Sequence, residues 1–389
     1  MAPLSGLTEL EELNLGVNRI ADIGPLAGMS RLRELSMVHN QVVDLSPLAG
    51  HEHLQALHVD FNDIADLSPL SSLASLQRLH MHWNQVEDVT PLAALTELTT
   101  LRLESNRIAD IAPLAQLKKL RVLSLNRNNI SDASPVADMT ELWFLSLSAN
   151  RVTDISPLRK LTEMSWLWLH HNTISDISPL SDMRELKRLH LESNSIVDIS
   201  PLANFTKLEL LTLDDNAIRD IGPLANLAAL TEIDLARNRI ADVSALRDLG
   251  EVRRLDLSGN EIVDIAALEF LTELEELDLS YNRIADIAPL AANTGLGDGD
   301  EIDLRGNPIS LESAETAIPV LVARGAAVQV PLAPRQYAIH DDRVLVFPID
   351  EDIAAQTAFS GRHPTGRCRP PMHRSWTGLA SPSISQANV

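Results

Sequence analysis

LEELNLGVNRIADIGPL, residues 10–26, is the stretch that decides the fold, because the chain repeats it in one register for most of its length. The next copy, residues 32–48, reads LRELSMVHNQVVDLSPL, and the asparagine inside each copy recurs every 22 residues. One longer step of 25 residues runs through the loop 293–300. So regular a spacing predicts a repeat architecture. The fourteen asparagines are Asn18, Asn40, Asn62, Asn84, Asn106, Asn128, Asn150, Asn172, Asn194, Asn216, Asn238, Asn260, Asn282 and Asn307.

The alternation of Leu13 and Leu15 around one variable residue predicts a short strand with one buried side. Repetition of that strand stacks the copies about 4.8 Å apart into one parallel sheet. The asparagine that follows is expected to lie in a turn, where its amide donates to and accepts from backbone groups of adjacent coils. The pattern therefore predicts a ladder of buried leucines and a second ladder of asparagines.

The segment D-I-x-P-L is expected to turn the chain away from the sheet. Its aspartate recurs thirteen times, from Asp22 to Asp286, and is interpreted as a turn-stabilising side chain, with a calcium-binding ridge as the alternative. In the copy with Ser46, the serine is expected to cap a short helical turn whose first position is a proline. Ala245 and Ala267 replace that proline in two copies, where a looser turn is expected.

The full frame, L-x-x-L-x-L-x-x-N-x-I-x-D-I-x-P-L, resembles the leucine-rich repeat family over about residues 4–330. Its 22-residue length is similar to the subclass found in internalins and in a regulatory subunit of protein phosphatase. The resemblance implies an α/β repeat solenoid, an arc or horseshoe with a parallel β-sheet on the concave face and short helical turns or extended coil on the convex face. It also implies a bacterial protein that binds another macromolecule, but it does not single out the partner.

Three segments are predicted. Residues 1–308 form the repeat solenoid, which begins in the middle of a repeat without a capping element, so either an N-terminal truncation or a tolerated open coil is expected. Residues 309–331 form a C-terminal cap of helix plus strand, with Gly325 as the helix stop. Residues 332–389 are predicted to be mostly disordered, because their second half is rich in Arg, Pro, Ser and Gly and has no acidic residue after Asp352. A shifted reading frame and the remnant of a lost domain both remain open for that tail.

Composition excludes several classes of protein. A net charge of −22 disfavours nucleic acid as a partner, since phosphates are bound through Lys and Arg. The single cysteine, Cys368, permits neither a disulfide within the chain nor a cysteine-rich zinc site. The sequence contains no apolar run of about 18 residues, which predicts that the chain does not insert into a membrane. It also begins without a signal peptide, so the protein is expected to be cytoplasmic as written, or secreted or attached to the cell surface if the sequence is truncated at its N-terminus. No catalytic or phosphate-binding motif is present, so a non-enzymatic protein without a cofactor is expected. The chain is also expected to be monomeric.

The residues between and after the paired leucines are free to vary, and they form two stripes on one face of the sheet. The first stripe runs from Asn14 to Asp303 and the second from Gly16 to Arg305. Aromatic and histidine side chains concentrate in two clusters along these strands, and exposed aromatics are candidate anchors for a protein partner, unless they merely cover the sheet. The candidate partner-binding residues are Phe61, His80, His82, Trp83, Phe144, Trp166, Trp168, His170, His171, His190 and Glu192.

Two further interpretations stay open. His58, Asp60, His80 and His82 have the ligand types and approximate spacing of a zinc site, although polar surface histidines that make binding depend on pH are the alternative. The acidic end of the first stripe is either a docking strip for a basic segment or a solvated row. Its aspartates are Asp234, Asp256, Asp278 and Asp303, and the arginines expected to compensate them are Arg237, Arg239, Arg254 and Arg283.

The hypothesis that follows is a protein-binding scaffold that recognises its partner through the concave β-face. The alternatives are a structural spacer, a recognition fragment of a larger secreted or cell-surface protein, and a binder that depends on metal or pH.

Overall fold

A computed structural model describes residues 4–330 and the two strands Arg335–His340 and Arg343–Pro348. Residues 4–330 belong to one compact unit, in which fifteen short strands form a single parallel sheet in chain order. The strands are β1 Glu12–Asn14, β2 Glu34–Ser36, β3 Ala56–His58, β4 Arg78–His80, β5 Thr100–Arg102, β6 Val122–Ser124, β7 Phe144–Ser146, β8 Trp166–Trp168, β9 Arg188–His190, β10 Leu210–Thr212, β11 Glu232–Asp234, β12 Arg254–Asp256, β13 Glu276–Asp278, β14 Glu301–Asp303 and β15 Ala327–Gln329.

The strands pair in register, so that residues 22 apart lie side by side: Leu13 pairs with Leu35, and Leu167 pairs with Leu189. The central residue of each strand points into the coil, and from β2 to β14 it is at most 2% exposed. Residues on either side point to the opposite face, because successive strand side chains alternate. The predicted ladder of buried leucines is therefore present, and every variable strand position lies on the opposite face of the sheet.

The asparagine ladder binds each coil to the one before it. Asn172 Nδ2 donates to the backbone oxygens of Leu147, one coil back, at 3.0 Å and of Leu169, in its own coil, at 2.9 Å. Asn172 Oδ1 accepts the backbone N–H of Val152, again one coil back, at 2.9 Å. These buried bonds satisfy backbone groups at the strand end that no ladder bond reaches.

The residue before each of these asparagines adopts a left-handed backbone conformation in every repeat. Twelve of these residues are not glycine and have φ between 50° and 57°, while Gly259 and Gly306 fill the other two positions with φ 65° and 74°. A left-handed residue with a side chain costs about 1 kcal/mol, so the turn is imposed by the surrounding bonds. Phe61, Trp83 and His171 occupy this position and not a strand.

On the other side of each coil the chain forms a short helical turn. Between residues 24 and 270 the structure has twelve 3-10 turns, and the short helix α1 Ala288–Ala292 follows them. The turns are Gly24–Leu26, Ser46–Leu48, Ser68–Ser72, Thr90–Leu92, Ala112–Gln116, Ser134–Val136, Ser156–Lys160, Ser178–Leu180, Ser200–Asn204, Gly222–Leu224, Ser244–Leu246 and Ala266–Phe270.

These turns correct two expectations. The carboxylate of Asp44, and not Ser46, provides the stabilising acceptor, since Asp44 Oδ1 accepts the Ser46 backbone N–H at 2.7 Å and Oδ2 accepts its hydroxyl at 2.8 Å. The aspartate makes the same backbone bond in all thirteen copies. The expected loosening at Ala245 and Ala267 is wrong, because both copies keep their 3-10 turn. The aspartate bond therefore shapes the turn without help from proline.

Helix α2, Leu311–Ala323, and strand β15 lie at the C-terminal end of the sheet. The Ser310 hydroxyl accepts the backbone N–H of Ser313 at the helix start, as an N-cap residue does. Arg324 donates to the backbone oxygen of Asn293 at 2.8 Å and so ties the loop 293–300 to the end of this helix. Within the residues that the structure describes, no helix is both long and apolar enough to cross a lipid bilayer.

The second unit, residues 332–389, is described only for the antiparallel pair β16 Arg335–His340 and β17 Arg343–Pro348. The prediction of disorder for the remainder of the tail lies outside the described residues.

Candidate functional site

The face of the sheet opposite the 3-10 turns, called the concave face below, carries three stripes of side chains. Sequence reasoning defined the first two stripes and missed a third, which begins at Glu12 and passes through Phe144, Trp166 and Arg188. Period-two alternation could have identified it, since it lies two residues before the first stripe. Trp168 and His190 lie on the same side, as predicted, with ring centroids 5.5 Å apart. The stripes are therefore continuous surfaces that cross strand after strand.

Four aromatic residues on β7 and β8 and beside them form one cluster, called the aromatic cluster below: Trp143, Phe144, Trp166 and Trp168. The ring of Phe144 meets that of Trp168 edge to face at 5.0 Å, and Trp143 meets Trp166 in the same way at 5.8 Å. The predicted anchor Phe144 is corrected by its burial: it is 5% exposed, because the neighbouring indoles cover it. Trp166 and Trp168 are half-buried and present the accessible part of the cluster.

The aromatic cluster also has polar features. Arg188 lies over the ring of Trp166, with its guanidinium carbon 4.9 Å from the ring centroid, a favourable cation–π contact. Ser146 Oγ, which lies across from Trp168 on the adjacent strand, and Trp168 Nε1 itself are buried and have no hydrogen-bond partner within the described residues. Unpaired buried polar atoms are rare in folded proteins and cost free energy. The cluster therefore combines a large apolar surface with a polar position that the fold leaves unsatisfied.

A buried polar network lies next to the aromatic cluster. Glu192 Oε1 is 3.2 Å from His170 Nδ1, and Glu192 Oε2 accepts a short hydrogen bond from the Thr212 hydroxyl. Burial lowers the pKa of His170 to about 3 and that of His190 to about 4, while burial raises the pKa of Glu192 to about 7. The contact between His170 and Glu192 is therefore a hydrogen bond and not an ion pair at neutral pH, because the imidazole carries no charge there and the carboxyl group is about half protonated.

This network contains a hydroxyl, imidazoles and a carboxyl group, but its geometry differs from that of a catalytic triad. In a triad the base uses one ring nitrogen for the nucleophile and the other for the acid. Here the Ser148 hydroxyl and the Glu192 carboxyl both contact the same atom, His170 Nδ1, at 3.0 and 3.2 Å. The Ser148 side chain is also buried, with 1% exposure. The arrangement stabilises the sheet face and lacks the geometry that activates a nucleophile.

The first predicted cluster divides into two parts. Phe61 and Trp83 lie in the left-handed turns at the edge of the concave face, where Phe61 stacks on His39 at 4.0 Å and on Trp83 at 5.8 Å. Trp83 is 50% exposed. His171 occupies the corresponding exposed position several repeats further along. These three predicted anchors therefore form an edge, separate from the stripes.

The histidines of the first cluster lie on the stripes themselves. His58 and His80 are neighbours across β3 and β4, with their Nδ1 atoms 2.9 Å apart. Burial lowers the pKa of His58 and lowers that of His80 to about 3. Burial also acts to lower the pKa of His82, but its hydrogen bond to Asp60 and the charge of Asp60 outweigh this, and the pKa of His82 is raised overall.

The predicted set of four metal ligands is corrected to three. One possible ligand atom from each of His58, Asp60 and His80 lies within 4.8 Å of the others, and His82 is outside this group. His82 instead contacts Asp60, with Nδ1 2.8 Å from Oδ1.

The acidic end of the first stripe is not a solvated row. Asp234 and Asp303 are only 4% and 2% exposed, and the aspartates of the row accept backbone N–H groups two residues further on. Burial raises the pKa of Asp278 to about 6, and burial with nearby carboxylates raises that of Asp234 well above its usual range. Arg305 pairs with Asp303. Three of the four arginines expected to compensate the row form their ion pairs with other residues: Arg237 with Asp214 and Asp215, Arg254 with Glu232 and Glu276, and Arg283 with Glu261. The charge of Arg237 nevertheless acts to lower the pKa of Asp234 and of Asp256, as expected of a compensating residue.

Comparison with solved structures places this geometry among known solenoids. An internalin of Listeria monocytogenes (inlF) is 34% identical, with 74% of this chain and 86% of that chain covered and a TM-score of 0.73. A leucine-rich repeat protein of Leptospira interrogans is 22% identical, with coverage of 84% and 85% and a TM-score of 0.77. The ectodomain of the receptor kinase GASSHO1/SCHENGEN3 from Arabidopsis thaliana, in complex with CASPARIAN STRIP INTEGRITY FACTOR 2, is 20% identical, with coverage of 83% and 47% and a TM-score of 0.65. The last two likenesses concern the fold alone.

No curated protein sequence matches the chain. Two family models do match, and together they span more than half of it. The model for leucine-rich repeats in two copies matches residues 8–50, 96–138, 163–204 and 251–292, and a second leucine-rich repeat model matches residues 184–240 and 206–262. With the internalin likeness, these matches show that the chain is a member of the leucine-rich repeat family.

Proposed function

We propose that this chain is a non-enzymatic protein-binding scaffold whose partner docks on the concave face over Trp166 and Trp168. The observation that carries the proposal is the aromatic cluster, in which two half-buried indoles stand side by side on buried Phe144. Tryptophan and arginine dominate the binding energy of protein interfaces, mainly where they lie near the centre of a contact surface. The cluster supplies both residue types, since Arg188 packs on Trp166.

The choice of a protein partner is supported by charge and by the fold. The net charge of −22 repels phosphates, so nucleic acid is disfavoured. A protein segment with an apolar group and basic residues suits the surface, because it can cover the indoles and face the acidic row. The Arabidopsis thaliana ectodomain offers a precedent for a bound factor on this fold.

An enzymatic role is disfavoured by the site itself. Catalysis generally needs a concave pocket that excludes water and a nucleophile next to its base. The polar network around Glu192 brings Ser148 and the carboxyl group to the same imidazole nitrogen, so the ring cannot bridge a nucleophile and an acid as the histidine of a triad does. We therefore assign this network to shaping the binding face.

The test is affinity capture with the full chain, followed by titration of each captured protein against variants. The double variant Trp166→Ala/Trp168→Ala is expected to weaken binding about 30-fold or more, since loss of a central anchor costs about 2 kcal/mol. Phe270→Ala is the matched control, because Phe270 is 41% exposed but lies on a 3-10 turn of the convex side. A partner that binds the double variant as tightly as the natural chain would refute docking over the indoles, and failure to capture any protein would favour a spacer.

A further inference from the structure

Two imidazoles and a carboxylate converge at one point of the concave face, far along the sheet from the aromatic cluster. His58 and His80 end adjacent strands and are paired in register, so their side chains leave the sheet side by side. Asp60 follows on the same face, two residues after His58. We infer that His58, Asp60 and His80 bind a divalent transition-metal ion, with zinc as the best fit. Two histidines and one carboxylate form a recurrent set of zinc ligands.

The distances suit such an ion. Zinc bonds of about 2.0 Å in a tetrahedral arrangement place two ligand nitrogens roughly 3.3 Å apart. The Nδ1 atoms of His58 and His80 are 2.9 Å apart, so a small opening of the pair accommodates the ion. The three ligand atoms all lie within 4.8 Å of one another, so the widest gap is at most 4.8 Å. Closing this gap to tetrahedral spacing requires a shift of about 1.5 Å, which a side-chain rotation of the 20% exposed His58 can supply.

The surrounding residues orient the ligands as outer partners do in metal sites. Asp60 Oδ1 accepts the backbone N–H of His82 at 3.0 Å and contacts His82 Nδ1 at 2.8 Å, which leaves Oδ2 for the metal. His58 Nε2 lies 4.0 Å from the carboxylate of Glu34, so the nitrogen on the far side of the ring faces an acceptor. Three protein ligands leave a fourth position for water.

The charges around the site have both signs. Arg102 lies across from His80 on the next strand, and its positive charge repels a cation bound at the site. The positive charge of Arg78 acts in the same direction. Arg78 is neutralised by its ion pair with Glu34 at 3.3 Å. The carboxylate of Asp60 is a ligand, and its side chain is only 6% exposed, so its attraction to a cation is weakly screened.

A second group of two histidines and one acidic residue lies elsewhere on the concave face, but its possible ligand atoms are not as close together. His170, His190 and Glu192 also lie together, but Glu192 already accepts from Thr212, and within the described residues only His58, Asp60 and His80 gather three possible ligand atoms so closely. The in-register pairing of two histidines on adjacent strands therefore distinguishes the proposed site.

The test is zinc binding to the full chain, measured by isothermal titration with zinc chloride after treatment with a chelator. Cobalt absorption then reports the coordination geometry. The natural chain is expected to take up one more equivalent than His58→Gln/His80→Gln, whatever Cys368 and the remaining histidines bind. The tetrahedral cobalt bands should disappear in that variant. His53→Ala is the matched control, because His53 is exposed and precedes the strand that carries His58, and it should bind as the natural chain does.

His82→Gln separates an orienting role from a ligand role. Loss of an outer partner typically weakens metal binding 10- to 100-fold, so this variant should keep the extra equivalent at an affinity lower by roughly that factor. Melting curves recorded with chelator establish that each variant is folded. Equal stoichiometry and affinity in the natural chain and in folded His58→Gln/His80→Gln would overturn the inference, as would cobalt spectra without tetrahedral bands. No partner protein enters the assay, so its failure leaves the proposed function untouched.

Discussion

The hydrogen bonds of the asparagine ladder predict that the effect of losing one amide depends on its position. Its removal should lower the free energy of unfolding far more in the middle of the solenoid than at the N-terminal end. The pair to compare is Asn172→Ala and Asn18→Ala, which make the same chemical change at equivalent positions of two repeats. Asn172 binds the preceding coil through Leu147 and Val152. Asn18 donates only to Leu15 and Gly16 of its own repeat.

The magnitude follows from these bonds. Asn172→Ala leaves the buried backbone N–H of Val152 without its acceptor, and an unsatisfied buried group costs about 1–3 kcal/mol. The carbonyl oxygens of Leu147 and Leu169 each lose one of two amide donors and keep the bond from Asn150 or Asn194. We expect a loss of about 3 kcal/mol, of which about 2 kcal/mol comes from the unpaired N–H and the remainder from the two lost bonds to the carbonyls. The bonds of Asn18 are exposed to water, so Asn18→Ala should cost about 1 kcal/mol.

Thermal unfolding followed by far-UV circular dichroism is the primary assay. Unfolding entropy is about 2.1 cal/mol/K per residue, so for a repeat region that ends near residue 330 the midpoint falls by roughly 1.4 °C per kcal/mol. Asn172→Ala should therefore lower Tm by about 4 °C and Asn18→Ala by about 1.5 °C. Hydrogen exchange at Val152 should rise in the first variant alone, because each coil contacts only its neighbours.

Equal losses of Tm in the two variants would refute the reasoning. They would mean that the amide contributes only bonds within its own turn and that the bonds to the preceding coil are energetically neutral. Unchanged exchange at Val152 in a destabilised Asn172→Ala chain would contradict the same step more directly, since that N–H loses its acceptor.

Two further predictions concern burial. Glu192→Gln should raise Tm at pH 8 but not at pH 4: with a folded pKa of about 7, above its ordinary 4.5, this carboxyl contributes stability below pH 4.5 that is lost as the pH rises through 7, on the order of 3 kcal/mol in all. An equal Tm difference at both pH values, measured by calorimetry, would contradict this. Gly295→Ala should destabilise the chain by about 3 kcal/mol in urea unfolding, because the new Cβ would lie 1.8 Å from the backbone oxygen of Thr272. Gly250→Ala meets no atom within 4 Å and should be neutral, so similar losses for the two glycine variants would argue against a steric origin.

Much of the fold could be predicted from the sequence because every repeat has the same pattern of buried and turn residues and therefore forms the same coil. The spacing of Leu13, Leu15 and Asn18 specifies a strand, a buried side and a turn within one coil, and its recurrence after 22 residues specifies stacking on the next. Which side chains share the concave face follows from alternation along each strand. The prediction that Trp168 and His190 are neighbours on one side depended on nothing else, and it is confirmed.

The depth and partners of the concave side chains depended on the tertiary structure. Phe144 and Trp166 occupy the same stripe, yet Phe144 is buried and Trp166 is half-buried. The difference arises because the rings of Trp166 and Trp168 on β8 both pack against the ring of Phe144 on β7. The left-handed turn that moves Trp83 and His171 away from the stripes has no uniform residue type, since bonds to adjacent coils impose it.

Sequence spacing therefore determined the repeat, the strand register and the face on which each variable residue lies, since these follow from periods of 22 and 2 residues. Only the tertiary structure decided that His58 and His80 meet at 2.9 Å and that Glu192 is buried enough to raise its pKa to about 7. The physical reason is that rotamer, burial and desolvation depend on side chains from neighbouring repeats, whose identities vary freely while the backbone does not.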